Sequence, residues 1–187
     1  MRRAVTFPQS LPAMINLPEQ QPPTMRPDRK FLLQHPAHFL ALGFGAGLAA
    51  KAPGTWGTLV ALPFYLLAHL FAGTAGVLLL AAVFFLVGIW ASALTGRALG
   101  IADFGGIVID EIAAFLLVLA FTPANWLWIA VAFLLFRVFD IAKPWPIYLA
   151  DKHIKGGFGV MFDDLLAAVY AIACVLLLRQ IFPGVTP

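Results

Sequence analysis

Charge is scarce in this sequence. Only 11% of its 187 residues are charged and 61% are hydrophobic, whereas an ordinary soluble domain is roughly 25% charged and about 45–50% apolar. That shortage points to an integral membrane protein. Cysteine is nearly absent too: Cys174 stands alone, so no intramolecular disulfide can form and nothing marks an oxidising compartment. The next arginine after it is Arg179, one residue too close for a thiol-phosphatase loop, and Cys174 reads as a small core residue. No Cys or His pairs occur at metal spacing, which argues against a zinc site. No glycine-rich turn ends in the Walker lysine-serine pair, so nucleotide binding has no support. The net charge is +3 and its basic residues are scattered. Nucleic acid is therefore not an expected partner, and anionic lipid headgroups suit those residues better.

What is present falls into two materials. Residues 1–30 hold six prolines, at 8, 12, 18, 22, 23 and 27, together with Arg2, Arg3, Arg26, Arg29 and Lys30. Proline at that density prevents helix, and no apolar run is available to bury. A disordered tail is expected there, with no signal peptide, because Arg2 and Arg3 lead into proline-broken sequence. The remainder, 31–187, reads as one helical membrane domain. Phe31–Ala50 is weak as a span and suits an interfacial or re-entrant helix. The turn Lys51-Ala52-Pro53-Gly54-Thr55 follows, with Thr55 as the expected N-cap. Apolar segments are then expected at about 56–71, kinked at Pro63, and at 77–94, 106–121, 126–141 and 163–181. Several are near the ~17-residue lower limit for crossing a bilayer.

The few charges are ordered. The loops at 73–76 and 122–125 carry none, while alternate loops carry Lys51, Arg97, Lys143, Lys152 and Lys155. Alternate loops share a side, and the positive-inside rule makes that side cytoplasmic. Arg179 is the exception, placed to snorkel at the opposite interface. The acids obey the same geometry. Asp110 and Glu111 open the third segment, Asp140 closes the fourth, and Asp163 and Asp164 open the fifth. Five carboxylates then converge at one depth. Each costs roughly 2.5 kcal/mol or more in lipid, so they need partners, and a divalent cation is the economical one. Hard oxygen ligands favour magnesium. Plainer readings exist: Asp163 and Asp164 as caps, and Arg137 with Asp140 as an i, i+3 ion pair. Asp103 and Asp151 read as solvated loop charges, His153 as a loop histidine and His69 as interfacial. The glycines at 43, 45 and 47, followed by Pro53-Gly54-Thr55, suit either a phosphate cradle or close helix packing.

Gly-Phe-Gly-Ala-Gly-Leu (43–48), Pro-Gly-Thr-Trp-Gly-Thr (53–58), Ile-Asp-Glu (109–111), Phe-Arg-Val-Phe-Asp-Ile-Ala-Lys-Pro-Trp-Pro (136–146) and Gly-Gly-Phe-Gly-Val-Met-Phe-Asp-Asp (156–164) together resemble the phosphatidylglycerophosphatase A family, over roughly residues 36–182. The resemblance implies an all-α, compact membrane-embedded bundle of about six helices in a bacterial inner membrane. It implies hydrolysis of the terminal phosphomonoester of phosphatidylglycerophosphate to phosphatidylglycerol, with Mg2+ as cofactor and the phospholipid as partner. On this reading Asp110, Asp140 and Asp164 are the first choices for metal ligands, and Glu111 and Asp163 serve as ligand or base. Lys51, Gly54, Thr55, Arg137 and Lys143 bind phosphate. Two other classes share some features. A phosphatidyltransferase would also use magnesium and membrane carboxylates, but its long Asp-Gly…Ala-Arg…Gly…Asp…Asp array is absent. An ion-coupled transporter would spread its acids through the bilayer depth instead of gathering them at one end.

Overall fold

Long runs of Leu, Ala, Val and Phe, interrupted by isolated glycines and prolines, leave the backbone one way to satisfy its own polar groups. The computed structural model describes residues 26–182, and every regular element among them is helical. The order is α1 (Arg29–Gln34), α2 (Pro36–Ala41), a 3-10 stretch (Gly43–Leu48), α3 (Pro53–Leu99), α4 (Ile109–Ala120), α5 (Trp126–Ala142), α6 (Ile147–His153) and α7 (Gly156–Ile181). Most of the expected tail lies outside the described residues. Its last part does not behave as tail: α1 starts at Arg29, with the Asp28 carboxylate accepting from the Phe31 N–H at 2.8 Å. The expected interfacial helix over 31–50 is broken into α1, α2 and the 3-10 stretch by Pro36 and by positive φ at Gly43, Phe44 and Gly45.

α3 is 47 residues long but is not one rod. Gly73 has non-helical dihedrals (φ 59°, ψ −155°), and there the chain turns back. The rings of Phe64 and Phe84 are 5.1 Å apart, whereas twenty residues of straight helix would separate them by ~30 Å. The two arms, 53–72 and 74–99, are therefore an antiparallel hairpin, with the expected uncharged turn reduced to Gly73. The helix runs on through Pro63 without a break in its dihedrals.

α4 is the centre of the molecule. All but two of its twelve residues are buried, against both arms of α3, α5 and α7. At ~18 Å long it is well short of the ~30 Å hydrocarbon thickness, so the expected third span is a buried half-helix. α7 starts seven residues earlier than expected. Gly157 precedes the expected segment, but it lies inside the helix, where a Cβ on it would strike Ile89 O and Ala93. Asp163 and Asp164 consequently sit two turns into α7 and do not cap it. Cys174 is only half-buried and is not one of the buried core residues.

Two helices, α3 and α7, are long and apolar enough to cross a membrane. Large apolar side chains stay exposed along them, including Leu70 (76%), Phe71 (81%) and Leu86 (67%), and along α5 at Leu134 and Ile141. Apolar surface this extensive is not what a soluble monomer presents. Arg179 lies at the end opposite the acids, donating from Nη1 to Phe121 O at 3.4 Å.

Candidate active site

The site is assembled by backbone contact first. Val108, just ahead of α4, donates its N–H to Ala41 O at 2.9 Å. Its side chain fills the hollows at Gly43 and Gly57, where an added Cβ would meet Val108 at 2.5 and 2.6 Å. Gly47 and Gly106 approach backbone to backbone in the same way. The glycines of the 43–57 segment thus press it onto the start of α4, and this close packing is one of the two uses their pattern suggested. It brings the first turn of α3 against the first turn of α4.

There Gly54 is decisive. A Cβ on it would overlap Glu111 Oε1 and stand 3.1 and 3.2 Å from the guanidinium nitrogens of Arg137. One turn further along α3, the Thr58 hydroxyl donates to Gly54 O at 2.8 Å and accepts from Arg137 Nη1 at 3.4 Å. Arg137 Nη1 also lies 2.6 Å from Asp140 Oδ2, the anticipated i, i+3 pair, and 3.7 Å from Glu111 Oε1. Lys143 follows the end of α5 in a left-handed conformation (φ 40°). Its Nζ reaches Asp163 Oδ2 at 2.5 Å and Asp151 Oδ1 at 3.2 Å. Burial works against the charge on Lys143, but the hydrogen bonds and charges of Asp163 and Asp151 outweigh it and hold its pKa above the ordinary lysine value.

Between these two cations lie the acids. Carboxylate oxygens of Asp110, Glu111 and Asp164 come within 4.8 Å of one another, and Asp140 stands beside Asp164. Four carboxylate oxygens, Asp110 Oδ1, Glu111 Oε2, Asp163 Oδ1 and Asp164 Oδ2, are buried without a hydrogen-bond partner. Orphaned acceptors of this kind are rare and costly. Six carboxylates, counting Asp151, face two cations. The donor set is all hard oxygen, and a divalent cation of the magnesium or calcium class fits it. Such a cation would sit among Asp110, Glu111 and Asp164, each offering a carboxylate oxygen as a ligand.

Of the residues expected from the sequence, Asp110, Glu111, Asp140, Asp163, Asp164, Arg137, Lys143 and Gly54 come together. Lys51 is exposed and makes no hydrogen bond or ion pair among the described residues. Thr55 is not the N-cap of α3. That position is Ala52, in the left-handed region, because Pro53 occupies the first helical turn. The Thr55 N–H is bonded to Ala52 O. Two participants were missed. Thr58 could have been noticed as a hydroxyl four residues after a glycine on one helix face. Asp151, expected as a solvated loop charge, belongs to α6 and holds Lys143, a contact no local spacing announces. His153 is a surface residue at the end of α6, with Nδ1 2.9 Å from Leu149 O.

A family model described as phosphatidylglycerophosphatase A matches residues 39–179. The chain belongs to the phosphatidylglycerophosphatase A family. A Haemophilus influenzae protein named phosphatidylglycerophosphatase A is 42% identical over 154 residues, 82% of this chain and 94% of the relative. The Escherichia coli protein of that name is 35% identical over 81% of this chain and 88% of its own length. A Bacteroides thetaiotaomicron protein, named provisionally as a phosphatidylinositol-3-phosphatase, is 36% identical over 76% of this chain and 92% of its own. No solved structure matches. The span matched to the family contains every residue of the acidic cluster and both of its cations, and it excludes the proline-rich first 38 residues.

Proposed function

We propose that this chain hydrolyses the terminal phosphomonoester of phosphatidylglycerophosphate, releasing phosphate and leaving phosphatidylglycerol. The observation that carries the proposal is the set of four buried, unpartnered carboxylate oxygens, flanked by Arg137 and Lys143, at one end of an apolar helical protein of the phosphatidylglycerophosphatase A family. A soluble phosphomonoester would not call for that setting, whereas a headgroup presented at a membrane surface does.

Asp110, Glu111 and Asp164, with Asp140 beside them, are the residues that would hold Mg2+. When bound, the ion supplies charge to the phosphate oxygens and acidity to a water. The protein's own groups do the rest. Arg137 and Lys143 place two fixed positive charges on the transferring phosphoryl group. Lys51, exposed two residues before α3, is free to add a third. Gly54, with no side chain, lets Glu111 and Arg137 close onto the first turn of α3, and together with Thr55 it offers that turn to the phosphate. Asp163 is tied through Oδ2 to Lys143, and its other oxygen is open to take the proton that the attacking water loses. Water oxygen bonds to phosphorus, the bond from phosphorus to the glycerol oxygen breaks, and that oxygen takes its proton from solvent.

The same reading makes the protein a compact bundle of about six helices, embedded and multi-pass in the bacterial inner membrane, with the site facing the cytoplasm. The basic loop residues at the acid end and the uncharged turns at the other support that orientation. Gathering of the acids at one end speaks against an ion-conducting transporter. The test is phosphate release from the lipid in excess magnesium, with and without chelator, for wild type and for Asp110→Ala, Asp140→Ala and Asp164→Ala. Activity should vanish with chelator and fall by at least about a hundredfold in each variant. Near-normal activity in all three well-folded variants would overturn the assignment.

A further inference from the structure

An apolar groove of about 320 Å³ lies between the second arm of α3, α4 and α7. We infer that it holds an acyl chain of the phospholipid while the headgroup phosphate is at the carboxylates; this rests on the function proposed above.

The argument is one of shared helix faces. On α4 the groove is lined by Ala113, Ala114 and Leu117, which stand at i+3, i+4 and i+7 from Asp110 and so continue the stripe that carries it. On α7 it is lined by Met161 and Leu165, and Met161 precedes Asp164 by three residues. Two separate helices therefore present an acid and a groove wall on one face, about one turn apart. The third wall, Leu78, Ala82 and Leu86 of α3, is exposed along its outer edge, so the groove opens sideways into the apolar belt. Its small side chains, Ala82, Ala113 and Ala114, leave the space that larger ones would close. The groove is apolar throughout, so water gains nothing there. Along α4 the trough runs on from the acid towards the far end, so an amphipathic ligand with an anionic head and a hydrocarbon tail matches the charged end and the trough there. A second apolar groove, lined in part by Phe64, Ala68, Leu79 and Val83 between the arms of α3, contains no such link to the acids and serves as the comparison.

The experiment uses the full chain in detergent micelles with excess magnesium and two substrates, the long-chain lipid and its dibutanoyl analogue. Ala82→Phe fills the groove from its exposed edge, and Leu117→Phe fills it from α4. For each, KM for the long-chain lipid should rise about tenfold, the value of roughly two lost methylene contacts, while the dibutanoyl analogue is hydrolysed as by wild type. Leu79→Phe, in the other groove, should leave both substrates unaffected. Equal loss on both substrates, no loss on either, or a change of oligomeric state on filling the groove would overturn the acyl-chain assignment. If wild type hydrolyses neither substrate, the proposed phosphatase activity itself fails, a result separate from these.

Discussion

Replacing Gly54 by alanine adds one methyl group at the most crowded point of the site. The new Cβ would overlap Glu111 Oε1 and press on both terminal nitrogens of Arg137. Ordinary contact needs at least 3.4 Å, so the Glu111 carboxylate must retreat by more than an ångström or α3 must lift from α4. Overpacking of this kind costs about 1–3 kcal/mol. A misplacement of about 1 Å in a catalytic constellation lowers turnover by about a hundredfold. Gly54→Ala should therefore fold, lose about a hundredfold in kcat/KM for phosphate release, and need more magnesium for half-maximal rate. Shortening the acid removes the collision, so Gly54→Ala combined with Glu111→Asp should be more active than the two single losses multiplied together. Gly105→Ala is the control, because a Cβ there meets nothing within 4 Å and its rate should be that of wild type. A Gly54→Ala protein within threefold of wild type, at unchanged magnesium requirement, would refute the contact between α3 and Glu111 as a determinant of the site.

Two further outcomes follow from the same geometry. Thr58→Val removes the hydroxyl that links Gly54 O to Arg137; it should cost about 1 kcal/mol of stability and raise KM for the lipid more than it lowers kcat, as steady-state kinetics would measure. His38 is buried, stacked on Phe31 at 4.3 Å, 5.6 Å from His35, with Nδ1 3.0 Å from Thr95 Oγ1. Burial and then the neighbouring His35 hold its pKa below the ordinary histidine value. The unfolded chain thus binds more protons than the folded one as pH falls, so this contribution is full above about pH 6.5 and is lost below it. Amide protection of α1 and α2 should weaken on acidification, and His38→Gln should flatten that dependence; a wild type already flat from neutral pH to about pH 5 would refute the role of His38.

How far the sequence could be read depended on whether a signal was local. The acids of α4 and α5 were legible because each sits where an apolar run begins or ends, and the uncharged turns marked the far end of the bundle. The start of α7 was not, since Gly-Gly-Phe-Gly has loop composition and the contact of Gly157 with Ile89 and Ala93 is a distant one in sequence. The shortness of α4 was hidden for the opposite reason: its residues are as apolar as those of a full span, and only its neighbours reveal that it is enclosed by protein. At the site, carboxylates were found by type and position. Thr58 and Asp151 depend on partners 79 and eight residues away, Arg137 and Lys143, which composition does not announce.

The placement of the acids also bears on how such a protein is built. Moving a carboxylate through the bilayer centre costs about 3 kcal/mol on insertion scales, and five of them would burden any helix that had to carry them across. Here every one lies at the end where the loops are basic, and the turns that travel to the far side, at Gly73 and at 122–125, carry no charge. On the proposed orientation, neutral hairpins are all that the lipid has to pass, and the acids need never cross it. The buried half-helix α4 meets protein on its sides, since α3, α5 and α7 all pack against it.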